Sequence, residues 1–474
     1  MAANLINHLP KYIKEYLLIG LILLAALVGR ILYLSPYLED WDSVQFALAM
    51  NHFSLIKELP HAPGYPLYIL LGNFMKIFFS SDNLALTILS AMTGSATVLV
   101  TYLLTQKMFN NKLTALGAAL IFTFIPVSWS LSEQALTNVP GLFFLSLLAY
   151  LLYKFIDNPK IIILISFLFG LLLGLRFTEL PIIMALLLFV FAWKRNLKLV
   201  LFSSLSFVVG ILFWLGPLII VTGWTDFVKA YLKIANYIFN HDSLLGGDRY
   251  GFYLIRLRLN HLFYILKIAY GQIFILISIL ILAFTIWQKK QRTDSRIQFL
   301  LVWFLTYLVF LVFFFNLEVT RYSLPLTVPL AILTAAALSK LITNKTIYTA
   351  VILVTCVILF KDSYYQVSQF KNSLPPTMAP VLLVKKEFSS SETTLIPTLL
   401  KRHFQYYTPQ FSLVDLDEFH SQIITSKFVI IDHLSTIDKI KDLRSYKLKD
   451  KKEFYGDREI YNRVPRTTIY ILEK

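Results

Sequence analysis

The segment Tyr16–Gly29, YLLIGLILLAALVG, contains no charged side chain. The segment Ile161–Leu175, IIILISFLFGLLLGL, has the same character, and similar apolar blocks recur as far as about residue 360. Blocks of this length need lipid or a buried position, and so many of them cannot all lie in one soluble core. The sequence therefore predicts an all-α, polytopic integral membrane protein.

The composition supports this class. The 474-residue chain is 57% hydrophobic and 15% charged, whereas soluble domains usually carry about 25% charged residues. A net charge of +16 would suggest nucleic acid as the partner of a soluble protein. Here the charges lie between apolar blocks, so they indicate membrane topology, and we expect membrane lipids and no nucleic acid as partners. The single cysteine, Cys356, excludes an internal disulfide framework and a multi-cysteine metal site.

The apolar blocks predict about eleven membrane-spanning helices. Segment 66–79 is apolar but begins at Tyr65-Pro66, and we expect an interfacial or re-entrant helix there. Counting it as a span would reverse the orientation of everything after it. The predicted spans are 16–34, 83–106, 113–130, 138–153, 161–176, 180–193, 198–221, 261–287, 297–315, 323–341 and 346–360.

Lys and Arg residues are concentrated in one set of alternating loops, most densely in the basic loop 289–296. The positive-inside rule assigns these loops to the cytoplasm. The N-terminus is then cytoplasmic, and the loops 35–65 and 223–260 lie outside. An odd number of spans also places the C-terminal tail outside, and we expect the multi-pass protein to reside in the cell (plasma) membrane.

The chain changes character after about residue 375. The tail is polar and contains strand-like runs, with helix-like stretches between them. We divide the sequence into a transmembrane domain, 1–360, and a small extracytoplasmic α/β domain, 375–474. The strand-like runs are Thr394–Pro397, Phe428–Asp432 and Thr467–Leu472.

The first outer loop carries the acidic run Glu39-Asp40-Trp41-Asp42. Neighbouring like charges raise the pKa of at least one carboxyl group, and such a group can act as a general base or bind a cation. Phe46, Met50 and Phe53 follow with helical spacing, which predicts an amphipathic helix in the plane of the membrane interface.

Structural alternatives exist for this loop. Asp42-x-x-Gln45 is a good capping box, so Asp42 could serve only as a helix cap. The stretch His61–Pro66 has two prolines and a glycine, so it either turns the chain back towards the membrane or forms a wall of a substrate cavity.

Several ionisable residues fall at the predicted outer ends of helices: Arg30, Glu133, Arg176 and Arg321, with Tyr322 beside the last. Polar groups at such depth usually face a cavity or a partner, and Arg suits bidentate contact with phosphate. An isolated Arg at a helix end can instead extend to the interface. All of these residues lie on the same predicted side of the membrane.

Four short motifs in this sequence resemble those of the GT-C superfamily of membrane glycosyltransferases. They are the acidic run Glu39–Asp42 after the first helix, the segment His61–Tyr68, Ser132-Glu133 with Pro140, and the Arg-Tyr-x-x-Pro motif Arg321–Pro325. The second reads HAPGYPLY, with Ala62 where the family has proline. The resemblance is to the protein O-mannosyltransferase and aminoarabinose-transferase type, including bacterial RgtA/B/C/D-like members, and covers roughly residues 10–360.

The resemblance implies an inverting glycosyltransferase, transferring a hexose or pentose from a polyprenyl-phosphate donor to a protein, lipid or glycan acceptor on the outer face. It implies Asp42, or second Asp40, as general base, and Arg321 and Arg176 as ligands of the lipid phosphate. Relatives differ in whether a divalent cation binds the aspartates; we expect none here, and no other cofactor. The expected substrate-binding residues are Glu39, His61, Tyr65, Glu133, Arg176, Arg321 and Tyr322.

Two other classes of protein compete with this interpretation. A transporter or flippase usually places ionisable residues at mid-membrane and often has inverted repeats, whereas here the charges cluster at the outer interface and no repeat is visible. A non-catalytic membrane scaffold has no need for several carboxylates above the first helix. Loss of transfer activity on changing Asp42 would separate an enzyme from both.

Overall fold

The computed structural model describes residues 11–244, 246, 252–287, 294–416 and 424–474. They form a helical bundle followed by a small α/β domain, as the sequence predicts. The predicted basic loop 289–296 falls largely outside the described residues, as do residues 245 and 247–251 of the predicted loop 223–260.

The helices of the bundle follow the apolar blocks closely. They are interrupted by a short 3-10 turn at Phe177–Glu179, a π-helical turn at Ile238–Asp242 and a longer 3-10 segment at Thr320–Leu326. The bundle helices are α1 Lys11–Leu32, α2 Trp41–Asn51, α3 Pro66–Lys76, α4 Asp82–Phe109, α5 Lys112–Phe124, α6 Pro126–Leu131, α7 Asn138–Lys154, α8 Pro159–Leu172, α9 Leu180–Lys194, α10 Leu197–Thr222, α11 Trp224–Tyr237, α12 Phe252–Tyr270, α13 Gln272–Trp287, α14 Ser295–Phe314, α15 Thr327–Leu341 and α16 Lys345–Asn372.

Among the described residues, six helices are long and apolar enough to cross a membrane. A bent pair, Ile255–Tyr270 with Gln272–Ile281, and four shorter apolar helices occupy the other predicted spans. Every predicted span thus coincides with one of these elements, and the count of about eleven crossings stays a prediction.

The predicted single helix 261–287 is wrong. The chain bends by 108° between α12 and α13, at Gly271. Gly271 has a φ of +77°, a conformation that glycine adopts without steric cost, and a Cβ there would lie 2.6 Å from Oδ2 of Asp362. The apolar block is continuous through this bend, so hydropathy gives no sign of it.

The predicted interfacial stripe on α2 is also wrong. Phe46 and Met50 are buried inside the protein, and Phe46 packs against Tyr65 and Tyr68 at ring-centroid distances of 5.2 and 4.9 Å. The helix α3 packs on the same face, where Gly72 admits the sulfur of Met50. The first loop therefore packs α2 and α3 against the bundle, which fixes the position of the acidic run.

The elements of the α/β domain are α17 Ala379–Glu387, β1 Thr393–Ile396, α18 Lys401–Tyr407, β2 Ser412–Leu413, β3 Phe428–Ile431, α19 Ser435–Lys439, β4 Lys447–Tyr455 and β5 Arg466–Glu473. The strands form one five-stranded sheet with the order β2-β1-β3-β5-β4. The strands β2, β1 and β3 are parallel, and β5 is antiparallel to both β3 and β4. The three predicted strands correspond to β1, β3 and β5. The sequence does not predict the two-residue strand β2 or the charged strand β4, which has no apolar alternation.

The α/β domain packs directly on the first loop. The backbone carbonyl of Glu39 accepts hydrogen bonds from Oγ1 of Thr377 and Nε2 of His403, both at 2.9 Å. The Tyr407 hydroxyl accepts from the backbone N–H of Leu38 at 2.8 Å. Arg402 donates to the carbonyl of Lys57 at 2.5 Å. The domain thus holds both ends of the segment that contains the acidic run.

Candidate active site

The acidic run positions its two aspartates at the start of α2. Asp40 is the N-cap residue, and its Oδ1 accepts from the backbone N–H of Asp42 at 2.8 Å. Asp42 lies in the first turn, where the helix dipole favours a negative charge. The prediction that Asp42 heads a capping box with Gln45 is therefore wrong, because Asp40 is the cap. The Asp42 carboxylate is left for other contacts.

Arg321 binds both aspartates. Its Nη1 lies 3.0 Å from Oδ1 of Asp40, and its Nη2 lies 2.5 Å from Oδ2 of Asp42. Arg321 belongs to the 3-10 segment before α15, and its carbonyl accepts from the side chain of Asn138 at 3.3 Å. The neighbouring Tyr322 stacks on Phe315 at 4.4 Å. The structure therefore joins the first-loop motif and the Arg-Tyr motif in one site.

A second arginine comes from the α/β domain. Nη1 of Arg463, between β4 and β5, lies 3.0 Å from Oδ1 of Asp40 and 3.4 Å from Oδ2 of Asp42. The adjacent Asn462 donates to Oγ1 of Thr320 at 3.0 Å, next to Arg321. We call Asp40, Asp42, Arg321 and Arg463 the acid–arginine cluster. Its four side chains come from three segments that are far apart in sequence.

The carboxyl groups of Asp42, in the cluster, and Glu39, beside it, have pKa values shifted in opposite directions. Burial alone would raise the pKa of Asp42, but the guanidinium groups of Arg321 and Arg463 outweigh it and hold the pKa well below its usual range. The Glu39 carboxyl lies outside the cluster, where burial, with the nearby charge of Asp40, raises its pKa well above the usual value. Asp42 is thus the charged carboxylate beside the arginines, and Glu39 favours the neutral acid.

His61 and Tyr65 form one wall beside Asp42. His61 Nδ1 lies 2.6 Å from Oε1 of Gln45 and 3.9 Å from Oδ1 of Asp42. Its Nε2 lies 3.1 Å from the Tyr65 hydroxyl. Burial lowers the pKa of His61, which favours the neutral ring with Nδ1 donating to Gln45 and Nε2 accepting from Tyr65. His61 and Tyr65 therefore border the Asp42 carboxylate without bringing a further charge to it.

Arg176 pairs with a neighbouring glutamate and not with the aspartates, and its predicted role as a phosphate ligand stays a prediction. Its Nε is 3.1 Å from Oε1 of Glu179, and its Nη1 donates to the Thr137 hydroxyl at 2.9 Å. We call Arg176 and Glu179 the buried pair. Thr137 is next to Asn138, which donates to the carbonyl of Arg321, so these two adjacent residues connect the buried pair to the cluster. The structure shows no direct contact between Arg176 and the aspartates.

Glu133 is also separate from the cluster. Its carbonyl accepts from the N–H of Ser35 at 3.0 Å, while its carboxyl group is fully buried. The charge of Arg30 opposes, but does not cancel, the effect of burial, which raises the pKa of Glu133. Arg30 lines an apolar cavity of about 340 Å³ with Trp129 and Phe360. The predicted contact between Glu133 and sugar or acceptor therefore stays a prediction.

The cluster can perform two kinds of chemistry. A carboxylate can accept a proton, and guanidinium groups can bind a phosphate through paired N–H groups. A divalent cation on Asp40 and Asp42 would have to displace both arginines from those oxygens. The side chains present therefore fit a phosphate better than a dication, and the expectation of a site without metal stays a prediction.

Some residues of the site were missed from the sequence. Arg463, Asn462 and His403 lie in a polar tail where a single charge is usually solvated, so no local signal marks them. Glu179 follows Arg176 by three residues, which does suggest a local ion pair. Only the fold brings the tail residues to the first loop.

Comparison with known sequences finds related proteins. Residues 48–200 match the family described as the protein O-mannosyl-transferase TMEM260 N-terminal domain. An uncharacterized protein of Aquifex aeolicus is 25% identical over 408 residues, which cover 81% of this chain and 74% of that protein. The protein O-mannosyl-transferase tmem260 of Dictyostelium discoideum is 27% identical over 120 residues, 24% of this chain and 14% of its own length.

Solved structures share the fold. ArnT from Cupriavidus metallidurans, bound to undecaprenyl phosphate, superposes with a TM-score of 0.61 at 12% identity, covering 95% of this chain and 97% of that one. The Archaeoglobus fulgidus oligosaccharyltransferase, tethered to an acceptor peptide, gives 0.53 at 12% identity, with 94% and 73% covered. The chain therefore shares the GT-C fold of these two proteins. Its residues 48–200 are similar to the N-terminal domain of a protein O-mannosyl-transferase.

Proposed function

We propose that this protein transfers a sugar from a polyprenyl-phosphate donor to an acceptor hydroxyl at the outer face of the membrane, with inversion at the anomeric carbon. The acid–arginine cluster carries the proposal, because Arg321 joins a potential base and a potential phosphate ligand in one site. The ArnT structure that shares this fold holds undecaprenyl phosphate, which supports a lipid phosphate as the donor's carrier.

The reaction needs a base on the acceptor side. The acceptor oxygen forms a bond to the anomeric carbon, and its proton passes to the carboxylate of Asp42. The first turn of α2 and the wall of His61 and Tyr65 hold that carboxylate in place. Asp40 is the second choice for the base, because its Oδ1 is already the cap of α2.

The reaction also needs a stabilised leaving group. As the anomeric carbon–oxygen bond breaks, its electron pair stays on the phosphate, whose charge rises from that of a diester to that of a monoester. Guanidinium groups held in place before the reaction stabilise this developing charge. Arg321 is suited to this role, since it is held by Asn138 and is almost fully buried.

Location follows from the chemistry. Nucleotide sugars are absent outside the cytoplasm, so a lipid must carry the donor sugar there. We propose that the cluster and the α/β domain face the outside of the cell membrane and that the N-terminus is cytoplasmic, as the basic loops indicate. Reporter fusions after Lys474 test this orientation, and a reporter that is active only in the cytoplasm would contradict it.

The activity can be tested directly. Purified protein in lipid nanodiscs is incubated with a panel of undecaprenyl-phosphate sugars and candidate acceptors, and release of undecaprenyl phosphate is measured. Mass spectrometry of outer glycans, glycolipids and glycoproteins from cells with and without the protein then identifies the sugar and the acceptor. Movement of a substrate across the bilayer without release of undecaprenyl phosphate would contradict the proposal.

A further inference from the structure

The acid–arginine cluster poses a problem for base catalysis. Each arginine contacts both aspartates, at 3.0 and 2.5 Å for Arg321 and at 3.0 and 3.4 Å for Arg463. Charge-assisted contacts of this kind stabilise the carboxylate strongly. An Asp42 held in this way is a poor acceptor for a proton, so the arrangement in the structure must change before the acceptor hydroxyl can be deprotonated.

We propose that Arg463 of the α/β domain is a second ligand of the donor phosphate, and that donor binding draws Arg321 and Arg463 from the aspartates onto that phosphate. Asp42 then becomes an effective base only when the donor is present. This inference rests on the proposed function, because it assigns a role to the same site during donor binding.

Exposure supports a ligand-binding role for Arg463. The Arg463 side chain is 39% exposed, whereas that of Arg321 is 6% exposed. Arg321 therefore closes the inner side of the cluster, and Arg463 borders its open side, where a lipid-linked phosphate would enter. Arg463 also lies in the segment between β4 and β5, which Asn462 fastens to Thr320 at 3.0 Å. That contact keeps Arg463 within reach of the same ligand as Arg321.

Charge balance supports the exchange. The cluster contains two cations and two anions, so its charges are matched before any ligand arrives. A phosphodiester competes with the carboxylates for the same N–H groups, and the monoester that forms during transfer competes more strongly because it carries more charge. Once the arginines turn to the phosphate, Asp42 stays partly buried but loses its cationic partners, and both effects raise its affinity for a proton.

The exchange also predicts an order of events. The donor must bind before the acceptor hydroxyl can lose its proton, so the α/β domain takes part in the reaction through Arg463. An acceptor that binds first finds Asp42 engaged by arginine and unreactive.

The first test uses full-length protein in nanodiscs and undecaprenyl phosphate as the probe. Arg463→Gln should raise the dissociation constant at least about tenfold, since a contact between guanidinium and phosphate is lost. Arg463→Lys should recover part of the affinity, which shows that a folded protein with the charge retained still binds. The matched control is Arg466→Gln, because Arg466 pairs with Glu453 at 2.8 Å on the same domain. An Arg463→Gln protein that binds like wild type would overturn the inference.

The second test uses the double variant Asp40→Asn/Asp42→Asn, in which both arginines lose their carboxylate partners while asparagine still caps α2. If the arginines exchange partners, this protein should bind undecaprenyl phosphate several-fold more tightly than wild type. Weaker binding would overturn the exchange, because it would mean that the aspartates help to bind the phosphate.

The proposed function fails in a different way. If wild-type protein does not bind undecaprenyl phosphate, or Arg321→Ala binds it as well as wild type, the donor site itself is misassigned. If Arg321→Ala loses binding while Arg463→Gln retains it, the donor site stands and only the role of Arg463 is lost.

Discussion

The acid–arginine cluster and the buried pair combine the same chemical groups in opposite ways. Arg176 and Glu179 are three residues apart, and their side chains are 6% and 0% exposed. The cluster joins residues from three remote segments, and its aspartates are 15% and 17% exposed. Because the buried pair is local and closed to solvent, we expect it to stabilise the fold and not to bind a ligand. An open cluster assembled by the fold can exchange its partners with a substrate.

The largest effect should come from Asp42. Asp42→Asn should reduce turnover by roughly a hundredfold to ten-thousandfold, because an amide cannot take the proton from the acceptor. Expression and folding should be unchanged, since Asp40 caps α2. The rate of undecaprenyl-phosphate release measures this effect. Asp40→Asn is the control, and a greater loss in that variant would move the base to Asp40.

The next effect should fall on stability, at the buried pair. Arg176→Met leaves Glu179 buried without its partner, which should cost about 3–5 kcal/mol of unfolding free energy. The double variant Arg176→Met/Glu179→Leu should recover part of that loss. Thermal unfolding in detergent measures both. A stable Arg176→Met protein that fails to bind undecaprenyl phosphate would instead make Arg176 a phosphate ligand, as the sequence suggests, and would erase the contrast between the two regions.

Changing Arg321 should affect donor binding more than stability, the reverse of what we expect for Arg176. Arg321→Ala should weaken donor binding by roughly 1.5–3 kcal/mol, the cost of a lost hydrogen bond to a charged group, with a smaller effect on the fold. Arg321→Lys should restore only part of the affinity, because lysine lacks the planar fork that binds two oxygens. Titration with a polyprenyl-phosphate sugar gives the affinities. Unchanged affinity in Arg321→Ala would remove this residue from the site.

A further effect, on the pH dependence of stability, concerns the contact between the α/β domain and the acidic run. Burial lowers the pKa of His403 to about 4, whereas an unfolded histidine titrates near 6.5. Between these values the unfolded chain binds a proton that the folded chain does not, so stability should fall by about 1.4 kcal/mol per unit as the pH drops from 6.5 to 4.

Thermal unfolding at several pH values, for wild type and His403→Gln, isolates this contribution. The variant should lose stability less steeply on acidification, since glutamine can still donate to the Glu39 carbonyl but does not titrate. Identical slopes for the two proteins would show that His403 does not link the domain to the acidic run in a pH-dependent way.

The sequence predicts the parts of this molecule that depend on local patterns. Apolar blocks locate the helices, and the order of the short motifs predicts that Asp42 and Arg321 belong to the same site. The N-cap was assigned to Asp42 instead of Asp40, because Asp42-x-x-Gln45 has the spacing of a capping box. The bend at Gly271 was missed because hydropathy is blind to a φ angle. Arg463 was missed because only tertiary structure brings it to the first loop.

The distance along the chain between Asp40 and Arg463 has a consequence for biosynthesis. They are 423 positions apart. Ribosomes add about 5–20 residues per second, so roughly 20–85 seconds pass between the synthesis of the two residues. During that interval the helices can enter the bilayer, and Arg321 alone can pair with the aspartates, which leaves one negative charge unmatched. Arg463, the second cation, is synthesised only after the helices of the bundle, so the site is completed near the end of translation.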